Sequence, residues 1–97
     1  QVPLEVVRTS YRVIELADVC ASKGNVNAVS DSGVAAQMAY SAVVGAALNV
    51  KINMADFADV AFRDQMLSEA TELQAKAAGL TERTLRTVHA RIDNPES

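Results

Sequence analysis

The sequence predicts an all-α fold: an up-and-down helical bundle of three long helices and one short one, incomplete without further helices. Three observations lead there. Apolar residues fill 49% of the 97 positions and aromatics only 4%, so the apolar mass is Ala, Val and Leu, which suits closely packed helices better than a β-sandwich. Four glycines and two prolines supply too little turn chemistry for a small all-β fold. Apolar residues recur at spacings of three and four along most of the chain.

The first helix is expected over Pro3–Lys23. Pro3 suits a first helical turn, where a missing N–H costs nothing. Leu4, Val7, Tyr11, Ile14, Ala17 and Ala21 form an apolar stripe, which Val6, Val13 and Cys20 widen. Lys23 favours the end of a helix, and Gly24 is the expected residue just beyond it. A polar connection, Gly24 to Asp31, follows. Ser30 is a competent N-cap, with Asp31 then in the first turn and Val29 and Val34 placed as a hydrophobic staple.

The second helix is expected from Asp31 to Asn53. Between Ser32 and Val50 it carries no charge at all. That is almost long enough to span a bilayer, at about 20 residues. The stretch is nevertheless built from Ala, Gly, Ser, Asn and Gln as much as from large aliphatics, and it reads as a helix buried on every side in a bundle, not as a membrane span. Gln37, Ser41, Gly45, Asn49 and Asn53 lie four apart and form a ridge of small or amide side chains, serving either as caps and solvated ends or as the lining of a polar pocket. The third helix is expected from about Ala55 to Ala78, begun by Asp56 and ended by Gly79. A short fourth helix is capped by Thr81, stapled by Leu80 and Leu85, and stopped at Asn94-Pro95. Two amphipathic helices and a short one cover a fully apolar central helix poorly. The missing cover is expected from an upstream segment, another chain, or both. A first residue other than Met fits a start that lies upstream or has been trimmed.

The net charge is −3, with acidic and basic residues interleaved. No basic patch exists to displace counterions from a phosphate backbone, so nucleic acid is not an expected partner. The single cysteine, Cys20, reads as a small buried hydrophobe and fits a reducing, cytoplasmic compartment. One His and one Cys on different helices give no metal-ligand spacing, and His89 reads as a surface residue. There is no GxGxxG and no GxxxxGK[ST]. What remains is carboxylate, amide and lysine chemistry, densest at Asn25–Asp31 and at Asn49, Lys51 and Asn53.

The order Gly24-Asn25-x-Asn27-x-x-Ser30-Asp31-x-x-Val34, followed by Leu48-Asn49-Val50-Lys51-Ile52-Asn53, resembles the folate cyclodeaminase/cyclohydrolase family. The likeness runs from about Pro3 to Ala78. It departs at Val26, where many members have Pro, a change expected to loosen the loop slightly. The resemblance implies an all-helical domain of roughly twice this length, of which residues 1–97 are the C-terminal part. It also implies a homodimer, a tetrahydrofolate derivative as substrate, and no further cofactor or metal. The implied chemistry concerns the one-carbon bridge between N5 and N10. Either 5,10-methenyltetrahydrofolate is hydrolysed to the 10-formyl form, or 5-formimidoyltetrahydrofolate is cyclised with loss of ammonia. A carboxylate near the cationic bridge stabilises it and acts as base toward water. Asp31 is the candidate for that role, although an acid in a first helical turn also stabilises the macrodipole by about 0.3–1 kcal/mol with no ligand present. Asn25, Asn27, Ser30, Asn49, Lys51 and Asn53 are the candidate substrate-binding residues. The alternative is a non-catalytic helical module whose apolar second helix is an oligomer interface.

Overall fold

The computed structural model describes residues 2–94, in which three α-helices follow one another: α1 (Val2–Lys23), α2 (Val26–Met54) and α3 (Val60–Asp93). No strand occurs among the described residues. Each helix packs on the other two, and short links make neighbours antiparallel. The result is a rod of 56 × 17 × 14 Å.

The core lies along the axis of the rod. Leu4, Val7, Ile14 and Ala17 of α1 face Ala36, Ala39, Val43, Ala46, Ala47, Val50 and Met54 of α2, and Met66, Ala70 and Ala77 of α3. A smaller cluster of Ala21, Val29 and Val88 closes one end. The α1 stripe is as expected, without its widening. Val6 and Val13 are about two-fifths exposed, and Cys20 is exposed, because α1 has helix neighbours on one side only.

Three helices stand where four were expected. Gly79 does not end α3; it is an exposed residue inside a continuous helix. A glycine in mid-helix costs about 1 kcal/mol relative to alanine. Tertiary packing outweighs that, since Thr81, Thr84 and Val88 beyond it are buried, and burying the Val side chain alone contributes about 1.5 kcal/mol or more. Thr81 is accordingly no cap but a buried mid-helix residue, and Leu80 packs against the main core. The expected stop is met at Asn94, whose backbone N–H donates to Ala90 O at 2.9 Å; Pro95 lies outside the described residues.

The first link is also shorter than expected. Asn25, not Ser30, is the N-cap of α2: its side-chain oxygen accepts from Ala28 N at 2.9 Å with extended backbone, φ −73° and ψ 171°. Asn ranks with Ser as a cap, and starting α2 a turn earlier seats Val29 in the Ala21–Val88 cluster. Val34 is therefore not stapled to Val29; one points out and the other in. Gly24 suits the close approach here, since a Cβ on it would lie 3.0 Å from Ala28 Cβ and 3.2 Å from Cys20 O and would crowd both. Val26 is then the first residue of a helix, not part of a loop. Downstream, residues 55–59 form the second link, and Asp59, not Asp56, caps α3 by accepting from Phe62 N at 3.1 Å.

The central helix is buried on one side only. Val34, Met38, Leu48 and Ile52 are 57%, 69%, 55% and 71% exposed. The chain does not supply the cover that its most apolar helix calls for. By length and composition α2 would also pass for a membrane span, with a mean hydropathy of 1.3 over its most apolar stretch, but its inward residues are the core of this bundle.

Candidate functional site

The sequence-selected polar residues fall at the two ends of α2. Asn25, Asn27, Ser30 and Asp31 are exposed at its start, and Asn49, Lys51 and Asn53 are exposed at its end. At 1.5 Å per residue, Asp31 and Asn49 are about 27 Å apart along the helix, so one chain does not bring the clusters together.

Asn25 has a settled structural task as the cap. Asp31 does not. It is the sixth residue of α2 rather than a first-turn residue, so little of the macrodipole reaches it. It forms no ion pair or side-chain hydrogen bond among the described residues. The carboxylate is thus free, solvated and unexplained by the stability of this chain. Ser30 and Asn27 likewise have no side-chain partner among the described residues. Neighbouring Ser32 is structural: it is buried, and its hydroxyl donates to Ala28 O at 3.0 Å.

At the other end, Lys51 borders an open groove of about 410 Å³ between α2 and α3. Tyr40, Leu48, Thr71 and Gln74 line it as well. Tyr40, Thr71 and Gln74 did not stand out in the sequence. The available signal was the row of Tyr40, Ala47 and Lys51 on α2 opposite the row of Leu67, Thr71, Gln74 and Ala78 on α3, both at helical spacing.

A second groove, of about 440 Å³, runs between α1 and α3 past Tyr11, Glu15, Asp18, Lys76 and Arg83. Its acid is already engaged. Arg83 Nη2 donates to Asp18 Oδ2 at 2.8 Å, and Thr84 Oγ1 lies 2.8 Å from both Asp18 Oδ1 and Leu80 O, with one proton to give between them. The Arg83 hydrogen bond holds the Asp18 carboxyl below its usual range against the opposing effect of burial, and Thr84 adds to it. Arg91 Nη1 donates to Ala21 O at 3.1 Å on the same seam. These contacts fasten α1 to α3.

The fold is a helical bundle left open along one face, with free polar groups at both ends of that face. Known proteins give the class a family. A family model described as formiminotransferase-cyclodeaminase matches residues 1–72. A methenyltetrahydrofolate cyclohydrolase of Methylorubrum extorquens is 42% identical over 92 residues, which are 95% of this chain and 44% of that protein. The chain therefore spans less than half the length of that relative. It belongs to the formiminotransferase-cyclodeaminase family.

Proposed function

We propose that this chain is the C-terminal part of a cytoplasmic folate enzyme that hydrolyses 5,10-methenyltetrahydrofolate to 10-formyltetrahydrofolate, acting with the rest of its domain and a second copy. The observation that carries the reading is the 42% identity to a cyclohydrolase along 95% of the chain. In the proposed reaction a water oxygen bonds to the cationic methenyl carbon, one water proton leaves to a base, and the bond from that carbon to N5 breaks. N5 keeps the electron pair and takes a proton while the remaining hydroxyl on the carbon gives one up, so that the C=O of the formyl group is left on N10 and one proton is released in all. Asp31 suits the place beside the bridge because its carboxylate is unpaired and exposed. It opposes the positive charge and accepts the water proton. Asn27, Ser30, Asn49 and Asn53 offer hydrogen-bonding groups for the pterin, and Lys51 a cation for an acidic substrate group.

The family description favours a second reaction at the same site, closure of a 5-formimidoyl group with loss of ammonia. Both substrates should be assayed on the full-length protein, by loss or gain of the methenyl chromophore. We expect Asp31→Asn to lower turnover by about one to three orders of magnitude with an unchanged melting temperature. Unchanged turnover per folded enzyme would remove Asp31 from the chemistry. Failure of the wild-type protein to bind either folate would favour the non-catalytic module.

A further inference from the structure

We propose that Arg91 and Val88, in the last turns of α3, are positioning residues that brace the start of α2 and so aim Asp31. The brace is a matter of contacts within this chain; its consequence for turnover rests on the folate reading of Asp31.

Asp31 is exposed and forms no ion pair or side-chain hydrogen bond among the described residues, so its place is set by its backbone alone. That backbone follows the two-residue link Gly24-Asn25. A helix end beside such a link frays unless something packs on it.

The far half of α3 packs on it from both sides of the link. On the α1 side, Arg91 Nη1 donates to Ala21 O at 3.1 Å. Ala21 lies in the last turn of α1, where carbonyls have no donor within the helix and a cation meets the negative end of the dipole. On the α2 side, Val88 is buried with Ala21 and Val29. Val88 also fills the space beside Gly33. A Cβ on Gly33 would lie 3.3 Å from both Val88 methyls and 3.6 Å from Leu85 Cδ2. Val88 thus bears closely on the α2 backbone at Gly33 and packs against the side chain at Val29.

The spacing makes that grip directional. Asp31 stands midway between Val29 and Gly33. Two residues turn a helix by about 200°, so holding those two inward turns Asp31 outward. Loosening the grip lets the first turns of α2 roll, and the carboxylate on the far side moves furthest. Such a shift matters for chemistry, because a misplacement of about 1 Å can cost about 10²-fold in rate.

The length of α3 fits this task. The residues that match the family model end at 72, whereas α3 runs on to Asp93. A helix that stopped at Gly79 would reach neither Ala21 nor Val29, and the link would be held by its own cap alone.

The test uses the full-length protein. Amide exchange is read by mass spectrometry on peptides covering residues 30–36 and, for comparison, 60–72. Arg91→Ala, which removes only a partly exposed side chain, should speed exchange over 30–36 by about fivefold or more and leave 60–72 unchanged. Val88→Ala should do the same. Arg91→Lys keeps a charge and a donor and should restore much of the protection. Turnover per folded enzyme should fall about tenfold in Arg91→Ala, with KM nearly unchanged, and recover in part in Arg91→Lys. On an Asp31→Asn background, Arg91→Ala should cost nothing further, because a residue that acts through Asp31 has nothing left to act on. Unchanged exchange over 30–36 overturns the brace. Equal acceleration of both peptides also overturns it, since that marks a general loss of stability. A further tenfold loss on the Asp31→Asn background overturns the aiming of Asp31. Should Asp31→Asn itself leave turnover intact, the folate reading of Asp31 fails, and the exchange measurement, which no folate enters, still decides the brace.

Discussion

The α1–α3 seam and the outward face of α2 are opposite kinds of surface. The seam is fastened by directional contacts: Asp18 with Arg83 and Thr84, Arg8 with Glu69, and Arg91 with a carbonyl of α1. The outward face has no charge between Ser32 and Val50 and four large aliphatic side chains more than half exposed. The charged groups Arg8, Asp18, Glu69 and Arg83 on the seam find their partners inside this chain, and among the described residues the large aliphatics of the face find none. Stability of the isolated chain should therefore respond to the seam and core and be indifferent to the face.

The sharpest contrast is between Ile14 and Ile52. Ile14 is fully buried in the core and Ile52 is 71% exposed. Ile14→Ala should cost about 2–5 kcal/mol in urea unfolding, the range for truncating a buried aliphatic side chain. Ile52→Ala should stay within about 0.5 kcal/mol, as for a surface position. A comparable loss at Ile52, measured on monomer, would mean that the face is already covered within the chain.

Two buried threonines one turn apart make a finer comparison. Thr84 Oγ1 is partnered by Asp18 and Leu80, whereas Thr81 Oγ1 is buried with no hydrogen bond among the described residues. Valine keeps the shape of each. Thr84→Val should cost about 1.5 kcal/mol, because a hydrogen bond to a charged carboxylate is lost. Thr81→Val should be neutral or slightly stabilising, because an unsatisfied hydroxyl leaves the interior. Equal losses at both sites would mean that packing, not hydrogen bonding, holds the seam.

The seam also predicts the acid response. Arg83 lowers the Asp18 pKa and Arg8 lowers that of Glu69, in each case through a hydrogen bond that outweighs burial. A carboxyl depressed in the folded state contributes stability above its unfolded pKa. That contribution fades as pH falls through the folded value. The melting temperature should hold level from neutrality to about pH 5 and decline below about pH 4. Asp18→Asn should lower the plateau and flatten the decline. An unchanged slope in that variant would place the acid sensitivity elsewhere.

Helix existence and the inward faces were legible in the sequence, because Leu4, Val7, Ile14, Ala17 and Ala21 on α1, and Met66, Ala70 and Ala77 on α3, repeat at helical spacing and are buried. Helix ends were not. Gly79 carries the local signal of a stop, but the signal is worth about 1 kcal/mol and the burial of Thr84 and Val88 beyond it is worth more. Ser30 and Asn25 are equal as caps, and only the three-dimensional need to bury Val29 chooses between them. Cys20 shows the same limit: its place on an apolar arc of α1 says nothing about which side of the arc meets a neighbour. At the site, residue types and motif order were legible. What the sequence concealed is that Asn25–Asp31 and Asn49–Asn53 stand on one straight helix, at opposite ends.

The smallest predicted effect concerns the link between the seam and the face, at Val26. Asn25 caps α2, so Val26 is its first helical residue, and the N–H of a first residue has no partner within the helix. Proline is well tolerated there, since it removes a donor that is unpaired within the helix and fixes a φ already close to the helical value. The residue before a proline must be extended, and Asn25 is, at φ −73° and ψ 171°. The departure at Val26 from the proline that the resemblance leads one to expect therefore concerns the start of a helix rather than the looseness of a loop. Val26→Pro should stabilise the chain by about 0.4–1 kcal/mol, mainly by restricting the unfolded state. The urea midpoint should rise with an unchanged slope. A fall in the midpoint would show that the Val26 N–H has a partner that proline removes, and that α2 does not begin at residue 26 in solution.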